Sequence, residues 1–261
     1  MAPSGAAFTA PDGLGKMVVT PTKVVAGSTG NLLRFTFTAD TGQLVGQTIV
    51  DVAPGWTPAQ STNASGPGYV SLRNISCGGA TRIAAIVARR IVLATSCRRG
   101  AQFELTYANA TAPRFVADGF TFVTQTKPAK PPKRSVRNRF RPLAPKKQPI
   151  VVVVGGDPIA LDMTTTTIST AGVSFGVLVR AVDQYGNTAI GYTGTIAFTS
   201  SDPQAVLPAP YAFVAADGGA HTFTGVILKT TGVQNIHVTD AAGRAVDSGP
   251  INVYPWQTGT S

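Results

Sequence analysis

Residues 32–39 read LLRFTFTA, and the alternation in this short stretch decides the fold. Leu33, Phe35 and Phe37 fall on one face of an extended chain and Arg34, Thr36 and Thr38 on the other, the period of two that a half-buried strand requires. Working outward, segments of the same kind recur between clusters of Gly, Pro and Asn: KMVVTPTKVVAG, QTIVDVAP, GYVSLRNI, TRIAAIV, RRIVLATSC, QFELTYAN and DGFTFVTQT. Their spacing, roughly ten to fifteen residues, suits a sandwich of immunoglobulin type. The second half repeats the style in PIVVVVGG, MTTTTIST, VSFGVLVRAVD, GTIAFTSSD, YAFVAAD, AHTFTGVILKT, VQNIHVTD and GPINVYP. No segment sustains a helical period, which excludes most α/β enzyme folds.

Composition agrees. The 261 residues are 43% hydrophobic and 13% charged, so most of the chain is folded, and the length allows two domains. Thr, Val, Ala and Gly dominate, while glutamate occurs only as Glu104, so the residues that fill exposed helix faces are scarce. Of the 22 Lys and Arg, ten lie in residues 1–126, nine in 127–147 and three in 148–261, against five, no and seven acids. The net charge of +10 therefore belongs to the middle run and, less strongly, to the first half.

That run is KPAKPPKRSVRNRFRPLAPKK, residues 127–147. Prolines at 128, 131, 132, 142, 145 and 149 forbid a helix or a central strand over most of it and favour an extended, polyproline-like path. At about 3 Å per residue it would reach on the order of 60 Å. The expected organisation is a β-sandwich over residues 1–126, a basic proline-rich linker over 127–149, and a second sandwich over 150–261. A spacer has no need of guanidinium groups, whose planar forks pair with phosphate and carboxylate. Lys127, Lys130, Lys133, Arg134, Arg137, Arg139, Phe140, Arg141, Lys146 and Lys147 are accordingly the candidate residues for binding a polyanion or a partner subunit.

Cys77 and Cys97 are the only cysteines, and in an all-β chain they read as one disulfide worth roughly 3 kcal/mol, with two buried thiols as the alternative. His221 and His237 lie far from them in sequence, so no metal set is expected. IVVVVGGDP lacks the following helix and the glycine spacing of a nucleotide site. No base, nucleophile and orienting group can be assembled from the sequence, so no catalytic residue and no cofactor are expected. Trp56 and Trp256 would serve a sugar-binding module if exposed and the core if buried. Asn63, Asn74 and Asn109 open N-x-S/T sequons. The amino terminus, MAPSGAAFTAPDG, has the charge and apolarity of no export signal.

Residues 171–241 resemble a bacterial Ig-like repeat that occurs in tandem in large secreted and surface proteins, related in style to invasin-type and filamin-type sandwiches. DQYGN, GYTGTIAFTSSDPQAVLP and FVAADGGAHTFTGVILKTTG carry the resemblance. Residues 24–126 resemble such repeats more loosely, through GSTGNLLRFTFTA, VAPGWTPAQ, GPGYVSL and GAQFELTYANATAP, and depart from them in NISCGGATRIAAIVARRIVLATSCRRG. The resemblance implies a non-enzymatic structural or adhesive module at a bacterial surface or outside the cell. Its partners would be other copies of the chain, other surface proteins or an anionic envelope polymer. Self-assembly through the edges of VSFGVLVRAVD or GTIAFTSSD is one expected route; binding of nucleic acid or another polyanion, and a carbohydrate-binding accessory role, are the rivals.

Overall fold

A computed structural model describes residues 13–129 and 139–256. The chain divides after Val153 into two units, each with its own core.

The first unit contains β1 (Lys16–Thr20), β2 (Lys23–Val25), β3 (Asn31–Thr38), β4 (Leu44–Asp51), β5 (Tyr69–Asn74), β6 (Arg82–Val87), β7 (Arg90–Cys97), β8 (Gln102–Ala110), β9 (Ala117–Thr121), β10 (Thr124–Pro128), β11 (Arg141–Pro142) and β12 (Ile150–Val154). One sheet has the order β1-β3-β8-β5; the others run β11-β10-β4-β7-β6 and β2-β12-β9. The strand β3 holds the sequence that predicted it, with Leu33, Phe35 and Phe37 buried at 0–1% exposure and Arg34 exposed. From the opposite sheet Phe122 meets Phe35 at 4.9 Å between ring centroids and Trp56 at 5.4 Å, while Phe37 stacks on Phe103.

Strand pairing shows how this unit closes. Thr121 faces Ile150 and Phe120 faces Val151, while Gln125 faces Pro142 and Thr126 faces Arg141. β9 and β10 are thus two halves of one strand, β11 and β12 two halves of the next, and together they form an antiparallel hairpin. In immunoglobulin lettering β1, β3, β8 and β5 correspond to A, B, E and D, β4 to C, and the hairpin to F and G. Both units are immunoglobulin-like sandwiches.

The placement of residues 127–129 and 139–149 departs from the expected linker. Lys127 and Pro128 pair with Gln47 and Gly46 at the end of β10, and Arg141 and Pro142 form β11 on the edge of the same sheet. Leu143, Val151 and Val153 are buried in the first core, so IVVVV closes the first sandwich instead of opening the second. Pro128 and Pro142 are accommodated where no central ladder bond is lost, at a strand end and on an edge.

The second unit contains β13 (Ala160–Thr164), β14 (Ile168–Thr170), β15 (Ser174–Val182), β16 (Thr195–Ser200), β17 (Tyr211–Ala212), β18 (Ala220–Ile227), β19 (Gly232–Gln234), β20 (Ile236–Asp240), β21 (Ala245–Asp247) and β22 (Ile251–Tyr254). Its sheets run β13-β15-β18, β14-β22-β19 and β17-β16-β20-β21. Val177, Val179, Phe223, Val238 and Ile251 lie in its core. β14 runs parallel to the last strand, β22, while the other named pairings are antiparallel. The strand edges expected to accept another copy are occupied: β15 is paired on both sides, and β16 lies between β17 and β20. Alternating apolar residues mark a strand as buried on one face, and say nothing of whether its edges are free.

Candidate functional site

The cationic candidate begins with four neighbouring strands, β11, β10, β4 and β7. Pro128 at the end of β10 lies beside Gly46, and Cys97 at the end of β7 lies beside Leu44, so both chains leave the sheet at the same end. The stems there are tied down by specific bonds. Gly13 donates its N–H to the Pro142 carbonyl at 2.7 Å, Leu14 donates to Thr126 Oγ1 at 2.7 Å, and Ala129 donates to the Val45 carbonyl at 2.7 Å. The Gln148 side chain accepts from the Thr124 N–H and donates to the carbonyls of Thr124 and Leu143, locking the return strand to the outgoing one.

On this frame the structure brings together part of the predicted set. Lys127 is half-buried on β10, with its Nζ 5.4 Å from the centroid of the half-buried Phe140 ring. Arg139 is exposed, Arg141 is partly exposed on β11, and Lys146 is exposed in the 3-10 turn Pro145–Lys147. Lys147 is taken by Asp40, at 3.0 Å, and so neutralises the carboxylate of the β3–β4 turn. Lys130, Lys133, Arg134 and Arg137 lie outside the described residues. Beside the stem an open groove of about 270 Å³ is lined by Gln43, Val45, Pro128 and Ala129.

Sequence reasoning missed Arg98 and Arg99 as site residues. Both are exposed in the turn between β7 and β8, at the same end of the sandwich. The signal was present in TSCRRG, whose two arginines directly follow Cys97. That cysteine is bonded to Cys77, as the spacing suggested, with 4.4 Å between Cα atoms. The bond ties the segment after β5 to the end of β7, beside this cationic end.

Trp256, which follows β22, is 64% exposed; the other candidates are structural. Trp56 is 2% exposed against Phe120 and Phe122, so it offers no platform for a sugar. In the second unit, Asp183 accepts from the N–H groups of Gly156, Tyr185 and Asn187 and from the Asn187 amide. Burial pushes its carboxyl up, and those hydrogen bonds outweigh it and hold the pKa below the usual range. Asp240 behaves alike: burial raises it, and bonds from Arg244 and Tyr192 bring it down. Burial pushes the Tyr192 hydroxyl up to about 12, helped by Asp240. Asp217 accepts from the Val214 N–H, from His221 Nδ1 at 2.9 Å and from the Tyr211 hydroxyl; the first two of these lower its pKa most. His237 pairs with Asp247 at 2.8 Å. Each histidine is thus bound to a carboxylate within its own unit, and no metal-binding cluster occurs among the described residues.

Fold and site together define the class: an all-β protein of two immunoglobulin-like sandwiches, the first with a cationic F–G end. No protein-family model and no curated protein matches the chain. Among solved structures it is similar to FdeC, described as a broadly conserved Escherichia coli adhesin eliciting protection against urinary tract infections, with a TM-score of 0.28 and 14% identity. The alignment covers 93% of this chain and 65% of that one, just under two thirds of its length. A likeness of this degree carries no argument about function.

Proposed function

We propose that this chain is a non-enzymatic structural or adhesive module of a bacterial exterior, and that it engages an anionic polymer through the F–G end of its first sandwich. The observation that carries the reading is the mounting of the basic run. Its stems are paired strands of one sheet, so Lys127, Arg139 and Arg141 are displayed from a rigid base and lose little freedom on binding. Many weak ion pairs held at fixed positions add through effective concentration. The disulfide supports an oxidising compartment.

Pairing of this end with the second unit of another copy finds little to work on. Among the described residues there, Asp162 is paired with Arg180, and Asp183, Asp202, Asp217 and Asp240 are engaged by turns, which leaves the exposed Asp157 and Asp247, the latter hydrogen-bonded to His237.

The test is binding of the full chain and of a K127Q/R139Q/R141Q variant to dextran sulfate and to uncharged dextran across a salt titration. The reading predicts binding to the charged polymer alone, falling steeply with salt and reduced at least tenfold in the variant. Wild-type protein that fails to bind the charged polymer at about 0.05 M salt, well below physiological screening, would overturn it.

A further inference from the structure

We infer that Arg98 and Arg99 form the second half of this anion-binding end, and that its ligand is a glycan bearing sulfate or phosphate esters rather than a single-stranded nucleic acid; the inference rests on the reading above. The strand β4 alone separates β7 from β10. At roughly 4.8 Å between strands, the turn carrying Arg98 and Arg99 leaves the sheet about 10 Å from the stem carrying Lys127, with β11 one strand further on. The cationic row spans about 14 Å, too wide for one sulfate or phosphate and suited to successive anions on a polymer.

The arginine turn is held in place. Ala101 donates to the Arg98 carbonyl at 3.0 Å, Gly100 donates to the Ala39 carbonyl at 2.9 Å with a φ of +82°, and Cys97 is 0% exposed and bonded to Cys77. Neither arginine pairs with a carboxylate among the described residues, where Asp40 is taken by Lys147, Asp51 by Arg90 and Glu104 by Arg34 and Arg73. Guanidinium forks suit bidentate oxyanions better than a lysine point charge does.

The exclusion of single-stranded nucleic acid comes from the aromatic side chains. Binding a single strand uses exposed rings on which bases stack. The ring at this end, Phe140, is half-buried with Lys127 over it. Phe115, which is 56% exposed, lies between β8 and β9 at the opposite end of the sandwich. The cationic end therefore offers charge and a shallow aliphatic groove, the needs of a charged sugar polymer.

The experiment uses the full chain, an R98Q/R99Q variant and the K127Q/R139Q/R141Q variant. The probes are dextran sulfate, a glycerol-phosphate polymer, and single- and double-stranded DNA of matched charge. Expected is a preference for a charged polyol or sugar polymer over both DNAs. R98Q/R99Q should bind it roughly tenfold more weakly near physiological salt, with a log K against log salt slope shallower by about one to two. The melting temperature should stay unchanged, since both side chains are exposed. Comparison of the sulfated with the phosphorylated polymer identifies which ester is read. If R98Q/R99Q matches wild type while the other variant loses binding, the arginine turn is no part of the site and the reading of the F–G end stands. If DNA binds as tightly as the glycans, the ligand class is wrong. If the wild type binds no polymer, both fall.

Discussion

Asp202 shows how single residues hold the second unit together. Its side chain is 3% exposed and accepts hydrogen bonds from the Thr230 hydroxyl at 2.6 Å and from the N–H groups of Thr230, Gln204 and Lys229. Burial raises its pKa, but these bonds outweigh it and bring the value down to about 2. An unfolded aspartate titrates near 4, so the ionised form stabilises the fold by on the order of 2 kcal/mol. Because the folded pKa is depressed, that contribution is complete above about pH 4 and is lost as the pH falls towards 2. Asp202→Ala should therefore cost the second unit about 2–4 kcal/mol in urea unfolding at pH 7, and show a weaker loss of stability between pH 5 and 2 than wild type. At this scale the sequence was readable where chemistry is local. The inward faces of LLRFTFTA could be seen directly, whereas Asp202 is recognised only once β16 and the segment after β18 come together, 27 residues apart.

At the scale of elements, the F–G hairpin was the feature that sequence misplaced. Proline and charge at residues 127–149 have the composition of a linker, and IVVVV looks like the opening strand of a new domain. Composition reports local preference, while the pairing of β12 with β9 is a tertiary choice in which Val151 and Val153 complete the core. A chain cut after Pro149 should consequently lose a strand of its first sandwich and give a poorly cooperative unfolding transition, where one ending at Val154 unfolds cooperatively; circular dichroism melts distinguish them. The Cys77–Cys97 bond was readable because a separation of twenty positions between two cysteines fits a hairpin, here β6 and β7. Replacing both cysteines with alanine should lower the stability of the first unit by roughly 3 kcal/mol and leave the transition of the second unchanged.

For the whole molecule, charge divides with the fold. Residues 1–153 carry nineteen Lys and Arg against five acids, and residues 154–261 carry three against seven. Produced separately at pH 7, the first unit should bind a cation exchanger and elute with salt, while the second passes through. The all-β class, the presence of two sandwiches and the cationic run were legible in the sequence; the boundary at Val153 was not, because it depends on which sheet the last strand joins.

The position of the basic run inside a hairpin also separates continuity of the chain from continuity of the fold. Were residues 127–149 a tether between domains, one cleavage by trypsin after the exposed Arg139 would release two independent proteins. Here the cut would leave β1–β10 on one fragment and β11–β22 on the other, with the first sandwich built from both. The nicked protein should run as two bands in denaturing gel electrophoresis yet elute as a single intact species under native conditions, a protein cut in two that behaves as one.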